Sequence, residues 1–457
     1  MKRIHFISIG GSAMHNLAIA LKLKNQYVIT GSDDEIFEPS KSRLAKHDLL
    51  PTEMGWFPEK ITEDIEAIIL GMHARADNPE LLRAKELNLK IFSYPEYLYE
   101  QSKYKTRLVI GGSHGKTSIT AMILHVLQSH QMNIDYMVGA QLSGFDTMVK
   151  VTQDSKVMVL EGDEYLSSPI DRRPKFHLYK GHIAILSGIA WDHINVFPTF
   201  ENYVEQFSIF IDTLEPNATL IYCEKDEVLK KLVENHPRID IRRIAYASHA
   251  NKTENGVTSL IDGNHKYELM IFGDHNMQNL QAALHACMSL GLSKEDFYSA
   301  IKTFKGAAKR LELIAINEHT RVYKDFAHSP SKLKATTQAV KSQFKNKKLM
   351  ACMELHTFSS LNKDFLNEYE GSMDVADIAI VYYNLHTIEH KRLELISEVQ
   401  VRQAFKREDL IIFTDSKELQ KYLRAQDYSD YNLLLMSSGN YDGIDVDSFA
   451  KELLISG

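Results

Sequence analysis

The 457 residues predict an α/β protein of three domains, each built on a mainly parallel, doubly wound sheet. Three observations lead there. The chain is too long for one core. Short apolar runs alternate with helix-like stretches along its whole length, a rhythm that implies parallel strands covered on both faces. The alternation also restarts twice, giving expected domains at 1–104, 105–306 and 307–457.

In the first domain the strand-like runs are IHFISI (4–9), YVITG (27–31), AIILG (67–71) and IFSY (91–94), with helical stretches at 13–24 and 78–88. A polar stretch, 100–106, precedes the next strand, RLVI (107–110). VMVLE (157–161), IAILSGI (183–189) and TLIYC (219–223) continue the second domain. Near its end, two β-rich runs around Asp262-Gly263 give a hairpin signal, followed by helices at 276–290 and 294–304. The third domain alternates VYKDF, LMACMEL, IAIVYY, LIIF and LLLMS with helix-like stretches.

Hydrophobic residues at 44% and charged ones at 25% are ordinary globular values. The formal net charge of −7 offers no global attraction to nucleic acid or anionic lipid, so neither is an expected partner. No stretch reaches the roughly 18 continuous apolar residues of a membrane span, and the N-terminus lacks a signal-peptide core. Cys223, Cys287 and Cys352 are isolated, with neither metal spacing nor a disulfide framework. A cytoplasmic protein with buried thiols is expected.

The first strand runs into Gly10-Gly11-Ser12 and then a helix. Backbone N–H groups at such a turn can meet a diphosphate. The dinucleotide fingerprint is only partly met, because Ser8 and Ala13 stand at its first and third glycine positions. A nicotinamide cofactor is thereby disfavoured, and a plain strand-to-helix turn and a diphosphate of another nucleotide both remain open. Asp33 follows the second strand, about where a ribose-binding acid is expected. His73, in the turn after the third strand, lies on the same ligand rim and is a candidate substrate contact.

The strongest local signal is RLVI followed by Gly111, Gly112, Ser113, His114, Gly115, Lys116, Thr117 and Ser118, entering an apolar helix. Consecutive N–H groups in such a loop wrap phosphate oxygens, lysine neutralises the outer phosphates, and the threonine hydroxyl can ligate Mg²⁺. The first glycine of the general pattern would fall on Ile110, so the motif present is the shorter G-x-x-G-K-T. Strands VMVLE and IAILSGI end near Glu161 and His193. Strand C-termini share one rim in a doubly wound sheet, so both can converge on Mg²⁺–ATP.

GSHGKT (112–117), EGDE (161–164), DH (192–193), HNMQN (275–279), KR (309–310) and DFAHSP (325–330) occur in the order shared by the Mur ligases, and the chain resembles that family over essentially its whole length. The resemblance implies a Rossmann-like UDP-sugar domain, a phosphate-loop ATPase domain and a Rossmann-like amine-binding domain. It further implies an ATP-dependent amide ligase that passes through an acyl phosphate, with Mg²⁺ as cofactor and ATP as co-substrate. Lys116 would stabilise the transferred phosphoryl group. Thr117 and Glu161 would ligate one metal and His193 a second. Asn276, Arg310 and Asp325 would contact adenosine and phosphate, and His328 would face the reacting groups.

The segment FENYVEQFSIF (200–210) has no lysine to be carbamylated, which points to the branch acting on UDP-N-acetylmuramate itself. Gly10, Gly11, Ser12, Asp33 and His73 would then hold that substrate. The acceptor is a cell-wall peptide or amino acid. GSDDEIFEPSKSRL (31–44), the stretch 171–198 and MSSGNYDGI (436–444) favour the tripeptide L-Ala-γ-D-Glu-meso-diaminopimelate, in wall recycling, over L-alanine, in biosynthesis. A silent UDP-sugar-binding protein is disfavoured by intact phosphate-loop and metal residues, and a folate polyglutamylating relative by the presence of residues 1–104. Two positions depart from the family pattern. HTFSSLNKDF (356–365) lacks an arginine expected near His356, and Ser329 replaces a second histidine.

Overall fold

A computed structural model describes residues 2–142, 144–192, 194–254 and 256–455. The chain forms two compact units. The first comprises residues up to 189 with 201–246 and 282–297; the second comprises 190–200, 247–281 and 298 onward.

The first unit contains two sheets. Strands β1 (Lys2–Ile7), β2 (Tyr27–Ser32), β3 (Ile65–Leu70) and β4 (Ile91–Ser93) form a parallel sheet in the order β2-β1-β3-β4. Strands β5 (Thr106–Gly111), β6 (Ile134–Met137), β7 (Val149–Lys150), β8 (Val157–Glu161), β9 (Ile183–Leu186), β10 (Thr219–Cys223) and β11 (Arg242–Tyr246) form the other, ordered β11-β10-β9-β5-β8-β6-β7. It is parallel except for β7. The central strand β5 pairs Ile110 with Glu161 and Gly111 with Leu186, so three strand ends meet on one rim. Local chemistry fixes the ends of the intervening helices. Asn78 caps the helix Pro79–Glu86, whose first position is proline. Ser93 and Glu96 form a capping box, which is why the predicted strand IFSY stops at Ser93.

The second unit holds an antiparallel sheet of β12 (Asn251–Glu254), β13 (Val257–Asp262) and β14 (His265–Leu269). The expected turn closes at Gly263, whose φ of 57° suits glycine. Its larger sheet contains β15 (Glu312–Ile316), β16 (Arg321–Asp325), β17 (Lys348–Leu355), β18 (Ile378–Tyr383), β19 (Ile411–Phe413) and β20 (Tyr431–Met436), ordered β15-β16-β20-β17-β18-β19. All neighbours are parallel except β15 and β16.

Strand β17 shows why its sequence is apolar at every position from 349 to 353. Leu349, Ala351, Met353 and Leu355 enter one hydrophobic cluster, and Met350 and Cys352 enter the cluster on the opposite face. Both faces are covered, so alternation gives way to a continuous apolar run. Among the described residues, no helix is long and apolar enough to cross a membrane. Cys223, Cys287 and Cys352 are buried free thiols.

Candidate active site

The phosphate loop springs from the carboxyl end of β5. Gly112 has φ of 121° and Gly115 has φ of 72°, the latter at the N-cap of the helix Lys116–Ser129. A Cβ on Gly112 would overlap Ser187 Oγ and come within 2.7 Å of the Ser187 backbone nitrogen. That close approach explains the glycine. Ser113 N donates to Gly188 O at 3.0 Å, and the Ser187 hydroxyl donates to His114 O and, at 3.3 Å, to Gly111 O. The loop is therefore tied to the end of β9.

Lys116 Nζ donates to Gly112 O and to Glu164 Oε2, both at 2.6 Å. Burial opposes the charge on this ammonium, but the carboxylates of Glu164, Asp163 and Glu161 outweigh it and raise its pKa. Thr117 Oγ1 donates to Glu161 Oε1 at 2.8 Å, and Gly139 N donates to Glu161 Oε2 at 2.9 Å. Ser118 is buried in the first turn of the helix. Loop, Lys116, Thr117 and Glu161 are thus brought together as the sequence reading expected.

Two partners were not singled out by that reading. Glu164 is the fourth residue of the quoted EGDE string, and its partner Lys116 could have suggested it. Tyr203 is fully buried, with its hydroxyl 2.8 Å from Ser113 Oγ and donating to Glu164 Oε1 at 3.1 Å. It lies in the FENYVEQFSIF segment, where no local pattern marks a tyrosine as a loop contact. His193 lies outside the described residues. No cluster of three or more potential metal-binding His, Cys, Asp or Glu residues occurs among those that are described.

At the end of β1, Gly10 N donates to Asp33 Oδ2 at 2.7 Å. A Cβ on Gly10 would lie 2.8 Å from Ile36 Cγ1 and 2.9 Å from that carboxylate oxygen. Burial pushes the Asp33 carboxyl up to about 6, with the Gly10 hydrogen bond opposing it. Gly11 precedes the helix Ser12–Leu23, in which the Ser12 carbonyl accepts from Asn16 Nδ2 at 2.8 Å. His73 is exposed in the turn after β3. Gly10 and Asp33 are in contact; His73 stands apart from that hydrogen bond.

The remaining expected residues lie in the second unit. Asp325 ends β16, accepts from Leu311 N at 2.5 Å and has its pKa raised by burial against the pull of Arg310. Arg310 stacks over the Phe326 ring at 4.8 Å. Asn276 is buried and donates from Nδ2 to Phe272 O at 2.8 Å. His328 Nδ1 lies 2.9 Å from Phe326 O, and its Nε2 lies 3.8 Å from Asp192. Burial and Lys332 lower the His328 pKa, and Asp192 opposes them.

Comparison with known proteins agrees with this architecture. A sequence model of the Mur ligase middle domain matches residues 110–287, and one described as Mur ligase family, catalytic domain, matches 3–106. The UDP-N-acetylmuramate–L-alanine ligase of Caldicellulosiruptor bescii is 31% identical over 399 residues, covering 83% of each chain. That of Caldanaerobacter subterraneus is 29% identical over 458 residues, covering 96% of this chain and 95% of the relative. Among solved structures, the UDP-N-acetylmuramate–alanine ligase of Thermotoga maritima superposes with a TM-score of 0.71 at 18% identity, over all of both chains. A murein peptide ligase from Psychrobacter arcticus gives 0.64 at 19% identity, over 100% of this chain and 98% of that one. The chain belongs to the Mur ligase family and is an ATP-dependent ligase that forms an amide bond.

Proposed function

We propose that this ligase activates the lactyl carboxylate of UDP-N-acetylmuramate and joins it to L-alanine. A carboxylate oxygen takes the γ-phosphoryl group of ATP, releasing ADP. The amine nitrogen then attacks the acyl carbon, inorganic phosphate leaves, and the nitrogen loses a proton. Two anions must meet in the first step, so the protein's task is positioning and charge neutralisation. The observation that carries the ATP site is Lys116, held inside a glycine loop by the carboxylate of Glu164.

On this reading residues 1–104 bind the UDP-sugar, 105–306 bind ATP and 307–457 bind the amine. Gly10, Gly11, Ser12, Asp33 and His73 face the UDP-sugar. The backbone from Gly111 to Ser118 wraps the phosphates, and Asn276, Arg310 and Asp325 contact the nucleotide. His328 faces the reacting groups. The Thr117 hydroxyl and Glu161 carboxylate, oxygen donors 2.8 Å apart, fit one Mg²⁺, and His193 would ligate a second metal. Bound there, the ion would neutralise phosphate charge.

The acceptor is the point at which the sequence reading shifts. Likeness over 83% of both chains to an L-alanine ligase favours L-alanine. The stretches 31–44, 171–198 and 436–444 favour the tripeptide as the second reading. The test supplies purified protein, Mg²⁺, ATP and UDP-N-acetylmuramate with either acceptor, and reads phosphate release and product mass. Preference for L-alanine is expected. Preference for the tripeptide would reverse the choice, and phosphate release independent of any acceptor would refute both.

A further inference from the structure

The first unit has a second cavity, at the opposite end of its strands from the phosphate loop. Its volume is about 420 Å³, and it lies where the amino-terminal ends of β2, β5 and β8 come together. Lys24 closes the helix Ser12–Leu23, Tyr27 begins β2, Lys105 precedes β5 and Lys156 precedes β8. The six residues of β5, about 20 Å of extended chain, separate this cavity from the phosphate loop. A space of this size suits a small molecule.

The charges around it are unevenly matched. Lys105 Nζ donates to Asp135 Oδ2 and, at 2.7 Å, to Thr152 O. Asp135 is fully buried and also accepts from Thr152 N at 2.9 Å and Thr152 Oγ1 at 2.8 Å, so its charge is taken up within the wall. Lys24 is different. Its Nζ donates to the neutral Gln101 Oε1 at 2.8 Å and lies 5.8 Å from the centre of the Tyr27 ring; among the described residues it forms no ion pair. Burial and the nearby Lys105 lower the Lys24 pKa, and Asp135 opposes them. A partly buried ammonium beside a second one costs stability unless an anion meets it. An ammonium carries three donors, of which Lys24 uses one and Lys105 two, so N–H groups of both are left for an occupant. Lys156 adds an exposed positive charge at the mouth. Of the acids at the rim, Glu100 is paired with Lys103 at 2.9 Å and Asp154 stands exposed. Tyr104, 92% exposed, stands at the same rim.

We propose that this cavity binds a phosphate group, free or carried on a nucleotide, between the ammonium groups of Lys24 and Lys105. Phosphate oxygens accept from the idle N–H groups, and their negative charge relieves the repulsion between the two cations. The site is separate from the phosphate loop and from the Gly10–Asp33 turn, which both lie at carboxyl ends of strands. Lys24 and Tyr27 come from the side of the first sheet, and Lys105 and Lys156 from the side of the second, so an occupant bridges the two sheets of the unit.

A fluorine label placed at the cavity through Gln153→Cys in the full chain tests this, since the three natural thiols are buried. The fluorine resonance is followed while inorganic phosphate or adenosine monophosphate is added in the millimolar range at constant ionic strength. A saturable shift is expected. In the labelled chain, Lys24→Gln should weaken binding about tenfold, the loss of a charge-assisted bond. Lys116→Ala should leave it unchanged, because that lysine belongs to the phosphate loop. Tighter binding of adenosine monophosphate supports the site with a nucleotide as its ligand, and binding of inorganic phosphate as tight or tighter supports it with the free anion. The proposal is overturned if neither compound gives a saturable shift, if Lys24→Gln binds as wild type does, or if Lys116→Ala abolishes the response. Should Lys24→Gln fail to fold, Lys156→Gln at its exposed position decides, with weaker binding again expected and unchanged binding again overturning the proposal.

Discussion

Replacing Gly112 with alanine probes the phosphate loop without touching charge. Its φ of 121° lies where only glycine is at ease, and holding another residue there costs about 1–3 kcal/mol. The new Cβ also overlaps the Ser187 hydroxyl and sits 2.7 Å from the Ser187 backbone nitrogen. The hydroxyl can rotate, but only by giving up its bonds to Gly111 O and His114 O. The backbone nitrogen, bonded to Gly111 O at 3.1 Å, cannot. Overpacking of this kind adds about 1–3 kcal/mol. The loop relieves the strain by moving away from β9, and displacement by about 1 Å costs on the order of a hundredfold in rate. Gly263→Ala is the control, because that glycine also has positive φ but nothing lies within 4 Å of its Cβ position. ATP-dependent phosphate release and thermal melting are measured on both. Gly112→Ala should lose about a hundredfold in turnover, and Gly263→Ala should lose stability without losing turnover. Full activity in Gly112→Ala, or equal loss in both, would refute the reasoning.

Lys116→Ala should lower turnover by orders of magnitude, since the loop then has no cation for the transferred phosphoryl group; survival of phosphate release would relocate the ATP site. Tyr203→Phe removes a hydroxyl shared with Ser113 and Glu164 and should cost about 1 kcal/mol of stability, read by denaturant unfolding. Asp33 carries a folded pKa raised to about 6, so its contribution to stability is fully present below the unfolded carboxylate pKa and is lost as pH rises toward and through 6. Melting temperatures between pH 4 and 7 should therefore show a decline in wild type that Asp33→Asn lacks; parallel profiles would assign the decline elsewhere.

Strands that pack on both faces were legible because their apolar runs are continuous, and β5, β8, β9, β17 and β18 all follow them. Strand β12 was not, because its residues NKTE are wholly exposed and its conformation comes from antiparallel pairing to β13. Strands β6, β7, β11 and β15 also went unread. β7 spans two residues, and β11 and β15 are edge strands carrying charged or exposed positions. At the site, spacing was enough to gather Lys116, Thr117 and Glu161. Glu164 and Tyr203 escaped because what singles them out is tertiary: a buried cation needing a carboxylate, and a hydroxyl bridging two elements. Glu354 escaped for a related reason. In LMACMEL it reads as the polar tip of a strand, and its meaning depends on a loop more than 80 residues later.

The double-sided burial of β17 has a consequence for how that strand finds its place. Where one face of a sheet meets water, a slip by one residue exposes the core and is rejected. A strand that is apolar toward both clusters carries no such signal, and a slipped β17 would still bury its side chains. The alignment must then be read at its ends. Leu349 N donates to Asp377 Oδ2 at 2.7 Å at one end, and Glu354 receives Ser437 and Tyr441 at the other. Polar residues at the rim thus act as the vernier of the sheet, and an exchange at Glu354 tests the accuracy of assembly.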